Sequence, residues 1–489
     1  DTADKNSDEY YRSQNGYKAF KDRWKGRATT ILAGSNGGML HAFNNVDGSE
    51  KWAFIPPSLL PKLRNVNSGK ANKTNSIYGV DGSPVVKDIF HNGAWKTVAV
   101  FGMGEGEHSY SALDITNIDA PKHMWTFKND PSSQTVTYWN STGTKTEEAY
   151  SSVTAARDYS KLGQAVSTPR IIRIQSGGND KWVAIFGAGG NGGAATAYGS
   201  AVYIIDIADG GKVVRKIDIA DKAGNKVTNS VIASMVPVTP DTTSTANYKG
   251  ALVYFADFES KLWKLNLTNK GTMYELQQLF DGEATDTNGR RVFHDVTLSL
   301  DDNSKLWAFF GTGDRYNIAD EDPQIKNRIL AIKDTNYPVF KSTAASVTAA
   351  KCKNVTSSAA SCPDASHQGW YVDLLANEKV TGSSAIMDRV VYFPRYIPNK
   401  LNPCNPGSAT LSAHAYTCGN TLKKFNLGSG MATSPIIYKG KIYIGISGAP
   451  GSGMGSGWTS KDNLIIGNTI SGSGGSSNSF SIKSWRQVF

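Results

Sequence analysis

The sequence predicts an all-β fold, a β-propeller of about seven blades, and three observations carry that expectation. A glycine-punctuated strand, a turn and a second strand of the form small-x-Leu-x-Ala-[Phe/Leu]-[Asp/Asn] recur from end to end. The clearest copy is ILAGSNGGMLHAFNNVDGSEKW at 31–52, with weaker copies at 98–117, 183–212, 252–269 and 306–334. Such repetition marks sheets that bury their faces only against their neighbours. Composition agrees: 49 glycines among 489 residues supply the positive φ that tight hairpins need, and they disfavour an all-helical protein. Finally, several units open on Ser/Thr-Pro followed by apolar residues, as at Ser83-Pro84, Thr168-Pro169 and Ser434-Pro435. Proline lacks the N–H of a ladder and costs least at a strand start on a sheet edge.

Taken in order, residues 1–28 are a polar lead-in segment in which Phe20 and Trp24, at i and i+4, form the apolar side of a short helix capping the first blade. The propeller then occupies 29–489, with units starting near Thr29, Gly82, Val166, Val231, Phe293, Thr381 and Met431. The second strand of each unit is hydrophobic and often ends in glycine, as in 97–102, 182–187 and 306–311. Extra length falls into rim insertions near 57–77, 129–165, 341–380, 398–420 and 447–479, and the segment 480–489 is expected to close the ring.

The apolar content of 39% suffices for a large core. No run approaches the ~20 apolar residues of a membrane helix. The sequence starts at Asp1 with no signal-like segment, as expected of a processed or excised piece. Four cysteines lie in two close pairs inside polar insertions; local disulfides Cys352–Cys362 and Cys404–Cys418 are the preferred reading, four unpaired thiols the alternative, and zinc is disfavoured because no CxxC occurs. Disulfides imply an oxidising compartment.

Net charge is +10, and its distribution is uneven. From 389 to the end, Arg389, Arg395, Lys400, Lys423, Lys424, Lys439, Lys441, Lys461, Lys483 and Arg486 face a single acid, Asp462. A second acid-free window, 51–80, carries Lys62, Arg64, Lys70 and Lys73. Both point to an anionic partner, DNA or an acidic protein, with Tyr392, Phe393, Tyr396 and Trp458 as stacking candidates among the C-terminal charges. Strand alternation, which would spread the lysines over several faces, is the competing reading. No catalytic or metal motif stands out: the seven histidines lack metal spacing, His41 reads as structural, and GAGGNGG at 187–193 leads into a strand rather than a helix. The acidic group Asp314, Asp320, Glu321 and Asp322 reads as a solvated loop.

The segments GSNGGMLHAF (34–43), WAFIPPSLLPKL (52–63), YGVDGSPVVKD (78–88), ALDIT (112–116), FGTGDRYNIAD (310–320) and SWRQVF (484–489) together resemble the C-terminal domain of the PilY/PilC family of type IV pilus factors, ComC-type proteins included, over essentially the whole chain. The resemblance implies a modified seven-bladed propeller and an exported protein at the cell surface, pilus tip or outer membrane, passing through the periplasm. It implies a non-enzymatic role in pilus assembly, twitching, adhesion to host or abiotic surfaces and DNA uptake, with pilins or minor pilins as partners. It also implies a calcium loop before 252–256, but Thr243, Thr245, Asn247 and Ala251 stand where ligands would fall, so calcium is not expected there and no cofactor is assigned. A direct DNA-binding module is the alternative function. A quinone-dependent oxidoreductase, suggested by likeness to quinoprotein blades, is less favoured because adjacent cysteines and a carboxylate cluster are missing.

Overall fold

The computed structural model describes residues 4–67, 78–190, 198–219, 229–284, 290–315, 325–357, 359–399, 406–451 and 454–472. The expected closing segment 480–489 lies outside them. Two compact units emerge, one built mainly from the first 253 residues and the other mainly from 276 onward. Among the described residues the strands form seven sheets; the pairings in the first, second, third, sixth and seventh are antiparallel, and the fifth adds one short parallel pairing.

The first unit holds three of them. The first sheet is three-stranded (Thr30–Gly34, Leu40–Asn44, Glu50–Phe54). The second has six strands, beginning with Val85–His91 and Ala94–Gly102, and the third has four, from Arg170–Ser176 to Lys212–Asp218. The central strands of the second and third sheets are buried along most of their length, on both faces, and the second sheet shares one core with the first and another with the third. Trp125, Tyr110, Phe127, Phe186 and Tyr203 fill the core of the second and third sheets, with Phe127 stacked on Tyr159 at 4.0 Å.

The lead-in segment forms two helices, α1 (Asp8–Gln14) and α2 (Tyr17–Trp24). They cap the second and third sheets rather than the first. Tyr17 and Phe20 lie against Trp95 at 4.7 and 6.5 Å, and Tyr11 against Trp182 at 6.3 Å. Arg173, 4% exposed, holds the entry to α1 through Asp8 (3.0 Å) and the carbonyls of Asn6 and Ser7 (both 3.2 Å), with its guanidinium 4.3 Å from the Tyr11 ring.

Described by itself, the second unit contains the fifth sheet (from Thr297–Leu300), the sixth (including Val390–Ile397, Ser408–Ala415 and Thr421–Ser429) and the seventh (Ile436–Tyr438, Lys441–Gly445, Leu464–Asn468, Thr459–Lys461). The remaining sheet, Val236–Val238 to Leu276–Phe280, has its strands divided between the units.

Two sequence signals have clear causes. Strands start directly after the prolines at 84, 169 and 435, each on a sheet edge. The terminal glycines mark close backbone approach: a Cβ at Gly34 would lie 2.2 Å from Val80 O, and one at Gly187 2.2 Å from Val231 O. Gly187→Ala is therefore expected to cost about 1–3 kcal/mol through forced backbone displacement. The urea midpoint checks this, and an unchanged midpoint would contradict the steric account.

Several expected insertions are strands instead. Thr135–Trp139 and Lys145–Ala149 extend the second sheet, Gly369–Asp373 joins the fifth, and Ser408–Ala415 and Leu464–Asn468 are central in the sixth and seventh. Insertion 57–77 holds a 3-10 turn and α3 (Leu60–Asn67), its remainder lying outside the described residues.

Candidate functional site

The sixth and seventh sheets carry the basic residues singled out in the sequence, and the strand register decides which are available. Arg395 is not. It pairs with Glu378 in a buried ion pair, each side chain 3% exposed, so the expectation that it contacts an external anion is corrected. Its partner sits eleven residues before the window in which charges were counted. Arg389 occupies a left-handed turn and reaches Asp302 at 2.9 Å. Lys423 and Lys424 are neighbours on an edge strand, so they point to opposite faces; Lys423 lies 5.1 Å above the Phe425 ring. Lys400 lies outside the described residues.

In the seventh sheet, Lys441 stands across from Tyr438, Lys461 across from Leu464, and Leu464 across from Gly445. Alternation places both lysines on one face with Ile436, Tyr438 and Tyr443, opposite the face of Ile442, Ile444 and Ile465 that joins the core. Lys439, at the adjoining turn, lies 5.2 Å from the Tyr438 ring. The C-terminal charges therefore occupy several faces, with one pair brought together. Of the stacking candidates, Tyr392 and Phe393 are buried, and Trp458 packs on Phe425 at 4.5 Å.

The second basic window is likewise partly committed. Lys62 binds Glu107 at 3.3 Å and donates to Gly106 O, while Lys128 takes the other Glu107 oxygen at 3.2 Å. Arg64 is exposed on α3, and Lys70 and Lys73 lie outside the described residues.

The expected cysteine pairing is overturned. Cys362 and Cys418 form the disulfide, while Cys352 is a buried thiol whose pKa burial pushes up to about 12. Cys404 falls outside the described residues. The cause is tertiary: the turn after Ser408–Ala415 packs on Trp370, whose Nε1 donates to Tyr416 O at 2.9 Å, and a Cβ at Gly419 would lie 2.4 Å from that indole. This docking carries Cys418 to the segment that precedes Trp370, where Cys362 lies.

The residues at the implied calcium loop do not fit that ion. The Thr243 and Thr245 hydroxyls bond each other at 3.0 Å, and Ala251 is buried in a strand. The nearby carboxylate, Asp241, accepts from the backbone N–H groups of Asp8 (2.8 Å) and Glu9 (3.0 Å). Calcium takes six to eight oxygens, carboxylates among them. No group of three or more His, Cys, Asp or Glu side chains among the described residues is arranged to hold a metal. No described helix is long and apolar enough to cross a membrane.

Two buried groups give the second unit a pH signature. Burial drives His414 down to about 4, its ring nitrogens being 3.0 Å from Gly419 O and Ser412 Oγ. Burial raises Asp257 to about 6 although Trp263 Nε1 donates to it at 2.8 Å. Below its ordinary 6.5 the unfolded chain protonates His414 first, so this group removes stability as pH falls toward 4. Asp257 takes its proton first in the folded chain, so it adds stability over much the same interval. The two slopes, each about 1.4 kcal/mol per pH unit at most, oppose one another. Carboxylates held low in the folded chain, among them Asp114, Asp130 and Asp158, add their own loss on acidification, so the test is a difference: between pH 6 and 4 the stability of His414→Gln relative to the wild type should rise, and a constant difference would contradict the assignment.

Comparison with known proteins fits this geometry. The profile of the PilY1 beta-propeller domain matches residues 9–356. The type IV pilus biogenesis factor PilY1 of Pseudomonas aeruginosa is 26% identical over 90% of this chain, which spans only 39% of that relative. A homologue from Xylella fastidiosa is 25% identical over 78% of the chain, with a quarter of its own length covered. Among solved structures, the C-terminal domain of Pseudomonas aeruginosa PilY1 superposes with a TM-score of 0.63 at 18% identity, covering 93% of this chain and 95% of that one. The fold is thus a seven-bladed β-propeller, as the repeats predict.

Proposed function

The chain belongs to the PilY1 β-propeller family, and from that premise we propose that it serves type IV pilus biogenesis as an exported docking platform for pilin or minor-pilin subunits at the cell surface or pilus tip. Twitching motility, attachment to surfaces and DNA uptake are the activities such a platform would support. The observation that carries this reading is the family profile running across 9–356. The test is direct binding of the purified chain to the purified soluble heads of the major and minor pilins of the same bacterium. Saturable binding to at least one is expected, and no binding to any of them would remove the reading.

One observation favours a second reading, contact with DNA. Lys441 and Lys461 share a face with Tyr438 and Tyr443, and among the described residues no carboxylate pairs with either lysine. Phosphate-driven binding weakens steeply with salt because counterions are released. A gel shift seen at low salt, lost at high salt and abolished by Lys441→Glu with Lys461→Glu would support it, and a shift unaffected by that double change would exclude this face.

A further inference from the structure

The first sheet contains a serine, a histidine and a glutamate in the order that acyl transfer requires. Ser35 Oγ lies 2.9 Å from His41 Nε2, and His41 Nδ1 lies 3.1 Å from Glu50 Oε1. The nucleophile thus faces one ring nitrogen and the carboxylate the other, so the carboxylate can fix the tautomer that leaves Nε2 free to accept. All three are reachable: Ser35 is half-buried, and the His41 and Glu50 side chains are 17% and 47% exposed.

Local structure explains how the residues meet. Ser35 closes the strand Thr30–Gly34, and His41 lies on the returning strand opposite Ala33, across the turn Asn36–Gly37–Gly38. Glu50 opens the third strand across from Phe43, on which the His41 ring stacks at 5.7 Å. Gly37 adjoins the hydroxyl, and a Cβ there would meet Ser35 Oγ at 3.4 Å, in ordinary contact. The described residues supply no acceptor for the backbone N–H groups of Asn36 and Gly37, the donors next in the chain to Ser35. The hydroxyl has a competing acceptor in Met39 O, at 3.3 Å.

The same six-residue spacing recurs with different chemistry. Asp257 accepts from Trp263 Nε1 at 2.8 Å, and Asp301 from Trp307 Nε1 at 3.0 Å, each across a turn that ends in Ser-Lys-Leu-Trp. There the pair can only lock the turn, because an indole N–H gives up no proton. In the first sheet the acceptor has become a nucleophile and the donor a base, and a carboxylate has been added from the next strand.

We propose that Ser35, His41 and Glu50 form an acyl-transfer site acting on carboxylic esters, separate from the docking role. Ser35 Oγ attacks the ester carbonyl carbon while His41 Nε2 takes the hydroxyl proton. The C–O bond to the alcohol breaks, and His41 returns the proton to the departing alkoxide. Water then attacks the acyl-Ser35 ester with His41 again as base, releasing the carboxylic acid and restoring the serine. Glu50 touches no substrate and is a positioning residue.

The test exposes the full chain to a fluorophosphonate probe and to p-nitrophenyl acetate, with labelled peptides identified by mass. Labelling of Ser35, and hydrolysis lost in Ser35→Ala and in His41→Gln, is the expected result. Glu50→Gln should lower kcat by about tenfold or more with KM little changed and should shift the pH profile, which a merely structural role would not do. No labelling of the wild type at Ser35, or hydrolysis persisting in Ser35→Ala, would show that the trio only locks the turn. The wild-type labelling result needs no variant to fold, and neither outcome bears on pilin binding.

Discussion

Replacing Glu378 by Ala is expected to destabilise the second unit by about 3–5 kcal/mol, because it leaves the Arg395 guanidinium buried without its counter-charge. The pair is 3% exposed on both sides, so water cannot take over the lost contact. Glu378 also anchors its own loop: Oε2 accepts from Leu375 N at 3.0 Å, and its carbonyl accepts from Asn327 Nδ2 at 3.0 Å. Only the side-chain contacts vanish in the variant. The double change Glu378→Leu with Arg395→Met should cost far less than the single one, since exchanging a whole buried pair for apolar groups is often neutral. Urea unfolding of the three proteins measures both effects. A single variant within the error of the wild type would show that the pair is hydrated and that Arg395 is accessible after all.

A comparable loss is expected when the disulfide is removed by changing Cys362 and Cys418 to Ala. The bond closes a loop between residues 56 apart in sequence, and restricting a loop of that length in the unfolded chain contributes about 4 kcal/mol in the chain-entropy description. Thermal unfolding under non-reducing conditions reads the effect. Non-reducing peptide mapping checks the pairing itself, with a peptide joining Cys362 to Cys418 predicted. Recovery of a Cys352–Cys362 peptide, or an unfolding midpoint indifferent to both substitutions, would contradict the structure. Cys352 should resist alkylation until the protein unfolds, because burial both hides the thiol and suppresses its thiolate.

The pairing shows where sequence reading stops. Cys352 and Cys362 are close in the chain, but the partner of Cys362 is chosen by the 416–420 turn landing on Trp370, a contact that neighbours in sequence do not encode. The charge windows failed in a related way. A count over 389–489 cannot see that Arg395 turns inward to Glu378, that Lys423 and Lys424 face opposite ways, or that Lys441 and Lys461 share a face. The repeated framework was legible because its signals are local and physical: proline at strand starts, and glycine wherever a Cβ would strike the backbone of a following segment, as at Gly34 and Gly187. Ser408–Ala415 alternates polar and apolar residues strictly and was obscured only by the Pro, Gly and Asn residues around it, whereas Leu464–Asn468, five residues beside a Gly/Ser-rich stretch, is too short to show a period.

His41 was legible only as a strand residue. Its partners are another matter, since Glu50 comes from the adjoining strand, whereas Ser35 lies at the same six-residue spacing as Asp257 to Trp263 and Asp301 to Trp307. Aligning those turns would have exposed the serine and the histidine, and register would have added the glutamate.

The account rests on this propeller being required for pilus assembly. Deleting the coding segment for 29–472 in frame from the parent gene, in the bacterium that carries it, and counting surface pili by electron microscopy tests that most directly. Cells with the deletion are expected to bear few or no pili and to recover them when the intact gene is restored; normal pilus numbers in the deletion strain, with the truncated protein still exported, would contradict it.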